Sequence, residues 1–589
     1  MDIRTSFSQE IPLLFDGGMG TLFAARQGGA ADRCETANLD QPDWITEIHR
    51  AYLEAGCRAI KTNTFSAGVD LAQGRAQLAH RILETGSRLA MDAAAPYRAF
   101  VFADLGPVPQ DSGHTPGELY LQQAEIFLRQ GITHFLVETL PSDEGIAALA
   151  QGLKERCPQA FLIVSFAVGP DGVTREGRQG LELFRHTAAL PQVDAVGFNC
   201  ISGPHHLLEY IKGLPLGNTH LSVMPNAGYP TVLGRRTVYQ GKPDYFAQKM
   251  AQIVQAGASI VGGCCGTTPE HIARLAAVLA HPLPKVSQPT AHAHMPARKT
   301  PGYNPLWDKL SAGKRVIAVE LDPPADDGIA GFLSGVQALH QAGADAITIS
   351  DCPIGHPRAD SSLLACKIKR ELGIEPLPHM TCRDRNLNAI KALLLGLAME
   401  EVHNILLVTG DPIPTEDRDE VKCVFHFNSR KLARYVSSLG EHSLSTPFHI
   451  FGALNLNARN FDIQLKLALE KESCGMTGFL TQPVLSQTAL DNLKLARATL
   501  KGKLLGGIFP VVSHRNACFL NNEISGIHVC DEIVSLYEGK SREEAESLAV
   551  QISTQVAQAV EPYTDGLYLM TPFQRVSLMT RIMEKLCSI

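Results

Sequence analysis

The sequence predicts an α/β chain of two tandem (β/α)8 TIM barrels joined by a proline-rich linker, and three observations carry that reading. Short, continuously apolar, β-rich runs recur eight times before a proline-rich stretch and eight times after it. Amphipathic segments of helical period separate the runs. Strands apolar on both faces that alternate with helices call for a parallel sheet covered by helices, and eight such units in about 280 residues suit a closed barrel better than an open sheet.

In the first half the runs fall at 13–16, 59–64, 100–105, 135–139, 161–167, 195–200, 221–226 and 259–263. Helical patterns at 43–55 and 244–256 each end at a glycine in C-cap position. In the second half the runs fall at 316–321, 346–350, 377–382, 405–410, 448–454, 477–482, 504–510 and 566–571, with a helix at 541–560. A phrase echoes along the chain: EAGCRAIKT, QAGASIVGG and QAGADAITI each end a helix with Ala-Gly and enter a buried strand. The prolines Pro282, Pro284, Pro289, Pro296, Pro301 and Pro305 mark a linker at 283–304 between a domain at 1–282 and a domain at 305–589. His281, His292 and His294 are spaced too loosely for a metal tract and read as solvated.

A chain of 589 residues that is 45% hydrophobic and 19% charged is neither disordered nor mainly membrane-spanning. Fifty-three basic against 60 acidic residues leave a net charge of −7, which excludes bulk affinity for nucleic acid or anionic lipid. No apolar run reaches the ~18 residues of a spanning helix and no secretory h-region opens the chain, so a cytoplasmic location is expected. Fourteen cysteines in a chain of this length then read as thiols or metal ligands.

In a barrel, chemistry belongs where strands end and βα loops begin. Asp16, Asn63, Glu138, Asn199, Cys200, Asn226, Cys264 and Cys265 collect at those places in the first half. The sixth strand ends in Asn199-Cys200 and the eighth in Gly263-Cys264-Cys265-Gly266, two strand ends on one rim with a single strand between them. Three thiolates converging there would bind Zn2+ and leave a fourth tetrahedral position open, as catalytic zinc sites do. The alternatives are that the cysteines are small packing residues, or that His205 or His206 fills the fourth position.

The pieces Asp16-Gly17-Gly18-Met19-Gly20-Thr21, Gly197-Phe198-Asn199-Cys200 and Gly263-Cys264-Cys265-Gly266-Thr267 together resemble the zinc-dependent homocysteine S-methyltransferase family over about residues 10–280. The resemblance implies zinc on Cys200, Cys264 and Cys265, with the sulfur of homocysteine in the fourth position. It implies that Asp16 and Glu138 hold the substrate's amino group and that Asn199 shapes the site. A local alternative for Asp16 is the N-cap of the following helix.

In the second half the strand ends read Val319-Glu320-Leu321-Asp322-Pro323-Pro324, His379-Met380-Thr381-Cys382-Arg383-Asp384, Thr409-Gly410-Asp411-Pro412, Thr481-Gln482-Pro483 and Gly507-Ile508-Phe509-Pro510-Val511. A Glu inside an apolar strand is costly to bury, and burial should raise its pKa toward that of a general acid at neutral pH. These motifs resemble the methylenetetrahydrofolate reductase family over about residues 305–587. That family implies FAD at the barrel mouth, reduced by NADH or NADPH, and hydride transfer to methylenetetrahydrofolate. By the same resemblance Glu320 is the general acid, Asp411 tunes flavin and pterin, Gln482 contacts the folate, and His379 and Lys471 belong to the flavin site. Two departures stand out: Leu321-Asp322 replaces the aromatic pair that commonly follows the Glu, and 455–464 keeps little of the usual flavin-phosphate and ribose pattern. A Gly-Asp-Pro turn is the structural alternative for Asp411, and a packed residue of the mouth for His379.

The combined reading is a bifunctional enzyme whose second barrel makes methyltetrahydrofolate and whose first methylates homocysteine to methionine. The alternatives are a methyltransferase using S-adenosylmethionine or S-methylmethionine, and a non-catalytic second barrel that binds folate or flavin and regulates the first. The sequence leaves open the methyl donor, the association of copies of the chain, and a separate protein bringing cobalamin, since no Asp-x-His-x-x-Gly is present.

Overall fold

The computed structural model describes residues 3–7, 11–27, 33–109, 113–212, 214, 216–217, 219–233, 236–239, 241–281, 283, 303–412, 421–524 and 526–587. Most of the expected linker, including His292 and His294, lies outside those residues. The chain divides into two compact units, Met1–Ala293 and His294–Ile589.

The first unit runs β1 (Leu13–Leu14), β2 (Ala59–Lys61), β3 (Phe100–Leu105), β4 (His134–Leu140), β5 (Phe161–Phe166), β6 (Ala195–Asn199), β7 (His220–Met224), β8 (Pro230–Leu233), β9 (Arg236–Tyr239) and β10 (Ala258–Val261). Eight of these form a parallel sheet in the order β1-β10-β7-β6-β5-β4-β3-β2. The ring closes between β1 and β2 through one parallel bridge, Phe15 to Ala59. The eight expected runs are these eight strands. The antiparallel pair β8–β9 was not expected; Pro230 opens it, and a proline reads as a break unless the strand lies at an edge.

The second unit is a closed parallel barrel of β11 (Val316–Glu320), β12 (Ala346–Ile349), β13 (Pro376–Thr381), β14 (Asn404–Val408), β15 (His449–Leu454), β16 (Gly478–Pro483), β17 (Lys503–Ile508) and β18 (Gly566–Met570). β11 pairs with both β12 and β18, and all eight expected runs lie on these strands. The repeated Ala-Gly phrase has one conformational cause. Gly56, Gly257 and Gly343 have φ of 97°, 114° and 107°, the left-handed cap that lets a helix stop and the chain turn back into a strand.

Each barrel is closed at the N-terminal end of its strands by a short helix placed just before its first strand. Ile3 of the helix Ile3–Ser6 joins an inner core of Leu13, Phe15, Phe102, Phe161 and Ile163. Phe7 stacks on His220, the first residue of β7, at 4.2 Å. In the second unit Leu306 and Leu310 of the helix Pro305–Ser311 enter a core with Val316, Ala318, Phe451 and Leu505. Trp307 stacks on His449, the first residue of β15, at 4.1 Å. Among the described residues no helix is long and apolar enough to cross a membrane.

Leu310 is fully buried in that core, so Leu310→Ala should destabilise the second unit by about 2–5 kcal/mol. The chain has two tryptophans, and in a Trp44→Phe background Trp307 alone reports the transition in urea. An unchanged midpoint would remove the helix from the core.

Candidate active sites

The strand ends of the first unit bring the three predicted cysteines together. The Sγ atoms of Cys200, Cys264 and Cys265 lie within 4.8 Å of one another, with 3.8 Å between those of Cys200 and Cys265. Tetrahedral zinc–sulfur bonds of about 2.3 Å put sulfurs about 3.8 Å apart, so the donor set fits zinc. Among the described residues it is the one such group able to hold a metal ion.

Local geometry aims the sulfurs. Cys200 and Ile201 have φ of 57° and 52°, a strained conformation for a β-branched residue that turns the chain sharply after β6. The loop after β10 is tied to the loop after β1: Thr267 Oγ1 donates to Cys264 O at 2.6 Å, and Gly18 N donates to Thr267 Oγ1 at 3.1 Å. A Cβ on Gly18 would lie 2.7 Å from Cys264 O, so only glycine permits that approach. Hydrogen bonds first from Cys200 and then from Cys264 pull the Cys265 thiol down to about 3. Donating to its neighbours pushes Cys200 far above the usual thiol range. Tyr239, at the end of the β8–β9 hairpin, also bonds Cys265. His205 and His206 are not part of the cluster; His206 Nδ1 pairs with Tyr229 OH at 2.8 Å.

Beside the cysteines is a buried layer of charge. Lys61, the last residue of β2, places Nζ 3.7 Å from Asp16 Oδ1, 3.9 Å from Glu138 Oε2 and 3.5 Å from Gly263 O. Burial opposes the ammonium, yet Glu138 and Asp16 outweigh it and hold Lys61 charged, well above its ordinary range. Burial lifts Asp16 to about 6 and Glu138 to about 7, with Lys61 opposing both shifts. Asp104 is lifted well above the carboxylate range, by burial first and then by Glu138. Asn199 links strands and site: its Nδ2 donates to Glu138 Oε2 at 3.0 Å and its Oδ1 accepts from Thr139 N at 2.8 Å. Asp16 is not a helix cap. The helix Met19–Arg26 begins at Gly18 without a side-chain cap, and Asp16 Oδ2 accepts instead from Lys61 N at 3.0 Å.

In the second unit Glu320 and His379 approach one another, while the other predicted residues have partners of their own or none described. Tyr568 OH donates to Glu320 Oε2, and His379 Nε2 lies 3.6 Å from the same oxygen. Burial first, then the Asp322 charge, raises Glu320 to about 7. Burial lowers His379 to about 4, and its buried Nε2 has no hydrogen-bond partner. Asp411 is exposed on the loop after β14, where Oδ2 accepts from Ile354 N at 3.0 Å. Gln482 lies half-buried on β16. Lys471, in the last turn of the helix Phe461–Ser473, donates to Ala453 O at 2.7 Å, and burial lowers it to about 8. None of these three makes a hydrogen bond or ion pair with Glu320, Tyr568 or His379 among those described.

Two family models match the chain in succession: homocysteine S-methyltransferase over residues 13–279 and methylenetetrahydrofolate reductase over residues 306–587. The chain joins one domain of each family. Methionine synthase of Mycobacterium leprae (strain TN) is 31% identical over 306 residues, 47% of this chain and 25% of the relative. Methionine synthase of Mycobacterium tuberculosis (strain ATCC 25618 / H37Rv) is 32% identical over 304 residues, 48% of this chain and 25% of the relative. The chain thus spans about a quarter of the length of these relatives. Among solved structures, the metallated form of the homocysteine methyltransferase MmuM from Escherichia coli is 27% identical with a TM-score of 0.39, covering 47% of this chain and 100% of that one.

Sequence reasoning missed Lys61 in the homocysteine S-methyltransferase domain and Tyr568 in the methylenetetrahydrofolate reductase domain. In each case the strand's inward alternation was the available signal, because Lys61 follows inward Ala59 by two residues and Tyr568 pairs with inward Ala318.

Lys61→Met removes the cation from a buried ion cluster and should destabilise the first domain by about 3–5 kcal/mol at alkaline pH. The unpaired charge exists only while Asp16 and Glu138 are ionised, and losing Lys61 raises both pKa values further. The loss should therefore shrink as pH falls through their range. Urea titrations at alkaline and mildly acid pH measure it; equal losses at both would disconnect Lys61 from the carboxylates.

Proposed function

We propose that the chain is a bifunctional one-carbon enzyme, with a homocysteine-methylating barrel at 1–282, a linker at 283–304 and a folate-reducing barrel at 305–589. The observation that carries the first activity is the convergence of three sulfurs, spaced for zinc, on two strand ends. Zinc held by Cys200, Cys264 and Cys265 would keep a fourth sulfur, that of homocysteine, as a nucleophilic thiolate near neutral pH. Asp16 and Glu138 receive the substrate's ammonium, and Asn199 fixes Glu138 for it. Lys61 lies against both carboxylates and opposes the rise that burial imposes on them, and burial pushes Asp104 toward its protonated form.

The second activity rests on Glu320, whose raised pKa suits a general acid. The mouth fits a large polar cofactor such as FAD: His379 Nε2, Asn457 Oδ1 and Thr571 Oγ1 are buried without partners, and Phe573 and Ile354 are exposed in the loops after β18 and β12. His379 would hold the flavin, which when bound supplies hydride received from NADH or NADPH. Glu320 protonates a nitrogen of the methylene bridge, Gln482 contacts the folate and Asp411 lies at its approach. One observation favours a regulatory second barrel instead. Asn455 Oδ1 accepts from Asn457 N and Asn460 Oδ1 from Ile463 N, so two side chains of the altered phosphate segment serve their own turn and helix cap. The donor for the first barrel is methyltetrahydrofolate from the second, S-adenosylmethionine or S-methylmethionine, with cobalamin, if used, brought by a separate protein. The proposed location is the cytoplasm, where the three clustered thiols would stay reduced.

Purified protein should hold about one zinc per chain. Replacing Cys200, Cys264 or Cys265 by Ala should remove most of it together with methyl transfer, measured by metal analysis and by methionine formation; full zinc retention in all three variants would refute the site. In Glu320→Gln, bleaching of the flavin by NADH or NADPH should persist while its reoxidation by methylenetetrahydrofolate slows roughly 10²–10⁴-fold. Rapid-mixing absorbance follows both steps, and reoxidation at the parent rate would remove Glu320 from the chemistry.

A further inference from the structure

The Glu320 carboxyl is faced by groups from three strands. Asp322, just past its own strand, accepts from Ser350 Oγ at 2.6 Å. His379, from β13, stands 3.6 Å from Oε2 and is kept neutral by burial. Asp351, which acts on His379, is engaged by Arg385 at 2.7 Å and by Thr381 at 2.9 Å. Tyr568, from β18, is buried and donates its hydroxyl to Oε2, while Thr348 Oγ1 of β12 is buried without a hydrogen-bond partner. Among the described residues no ammonium or guanidinium pairs with Glu320, so the phenol is the donor that favours its ionised form.

We infer that Tyr568 is a positioning residue for folate reduction, holding the Glu320 carboxyl in place and stabilising the carboxylate left when its proton departs. The inference rests on the reading of Glu320 as the acid. In that step the proton passes from Glu320 to a nitrogen of the methylene bridge. The carbon–nitrogen bond of the five-membered ring opens with its electron pair on that nitrogen, and the carbon is then reduced by hydride. Tyr568 keeps its own proton throughout.

A general acid works protonated, so its rate falls as pH rises through its pKa. Removing the phenolic donor weakens the ionised form and raises that pKa. Tyr568→Phe should therefore move the alkaline limb of folate-dependent flavin reoxidation up by about one pH unit, and slow the step roughly 10-fold below the limb because the acid is weaker. A merely structural role would lower the rate without moving the limb.

The direct readout needs no flavin. In the full-length flavin-free protein, the infrared C=O stretch of the protonated carboxyl, identified by its loss in Glu320→Gln, should titrate about one pH unit higher in Tyr568→Phe. Circular dichroism of the variant checks that it folds. An unmoved infrared midpoint overturns the inference whatever the kinetics do. A moved midpoint with folate reduction intact in Glu320→Gln overturns instead the reading of Glu320 as the acid, and with it the role given to Tyr568. A shift in both the infrared midpoint and the alkaline limb supports the assignment.

Discussion

Ring closure is the constraint on which the rest of the structure depends. A parallel barrel has no free edge, and only when the last strand meets the first do the ends of distant strands share a rim. In the first domain that closure is economical. β1 is two residues long and meets β2 through one bridge. Asp16 supplies what the ladder lacks: its N–H donates to Ala59 O at 3.0 Å, and its carboxylate accepts from Lys61 N at 3.0 Å. The carboxylate proposed to hold the substrate is thus also a rung of the barrel, while the cysteines that follow β6 and β10 are brought together by β7, which pairs with both strands.

The two domains use one architecture with different electrostatic surroundings. At the first rim a buried ammonium lies among carboxyls and opposes the rise that burial imposes on Asp16 and Glu138. At the second a half-buried carboxyl stands beside a phenol, a neutral imidazole and the Asp322 charge, and it holds its proton to about pH 7. The proposed ammonium recognition would use the first arrangement and the proposed proton delivery the second, and the difference comes from which residue the neighbouring strand points inward.

Much of this was legible in the sequence. The strands were, because a parallel barrel leaves continuous apolar runs, and so were the helix ends at Gly56, Gly257 and Gly343, whose caps demand left-handed backbone. The cysteines were legible because Cys-Cys between glycines has few structural uses. Lys61 was not, since a lysine at a strand end reads as solvated until the barrel closes over it. Tyr568 sits in Gly566–Met570 among apolar neighbours and reads as core. The role of Asp16 beside β2 and the hairpin that brings Tyr239 to Cys265 depend on contacts between distant segments, which local pattern does not encode.

The short helices that stop the lower ends of the barrels bear on where such domains begin. The matched family segments start at residues 13 and 306: the first leaves out the helix Ile3–Ser6, whose Ile3 belongs to the barrel interior, while the second takes in Leu306 and Leu310 of Pro305–Ser311. A cassette transferred at the first strand would leave behind its own floor and open Phe102, Phe161 or Phe451 to water, a sticky well in place of a sealed one. The portable unit in gene fusion is therefore the barrel together with its preceding helix, an order that suits joining such units head to tail.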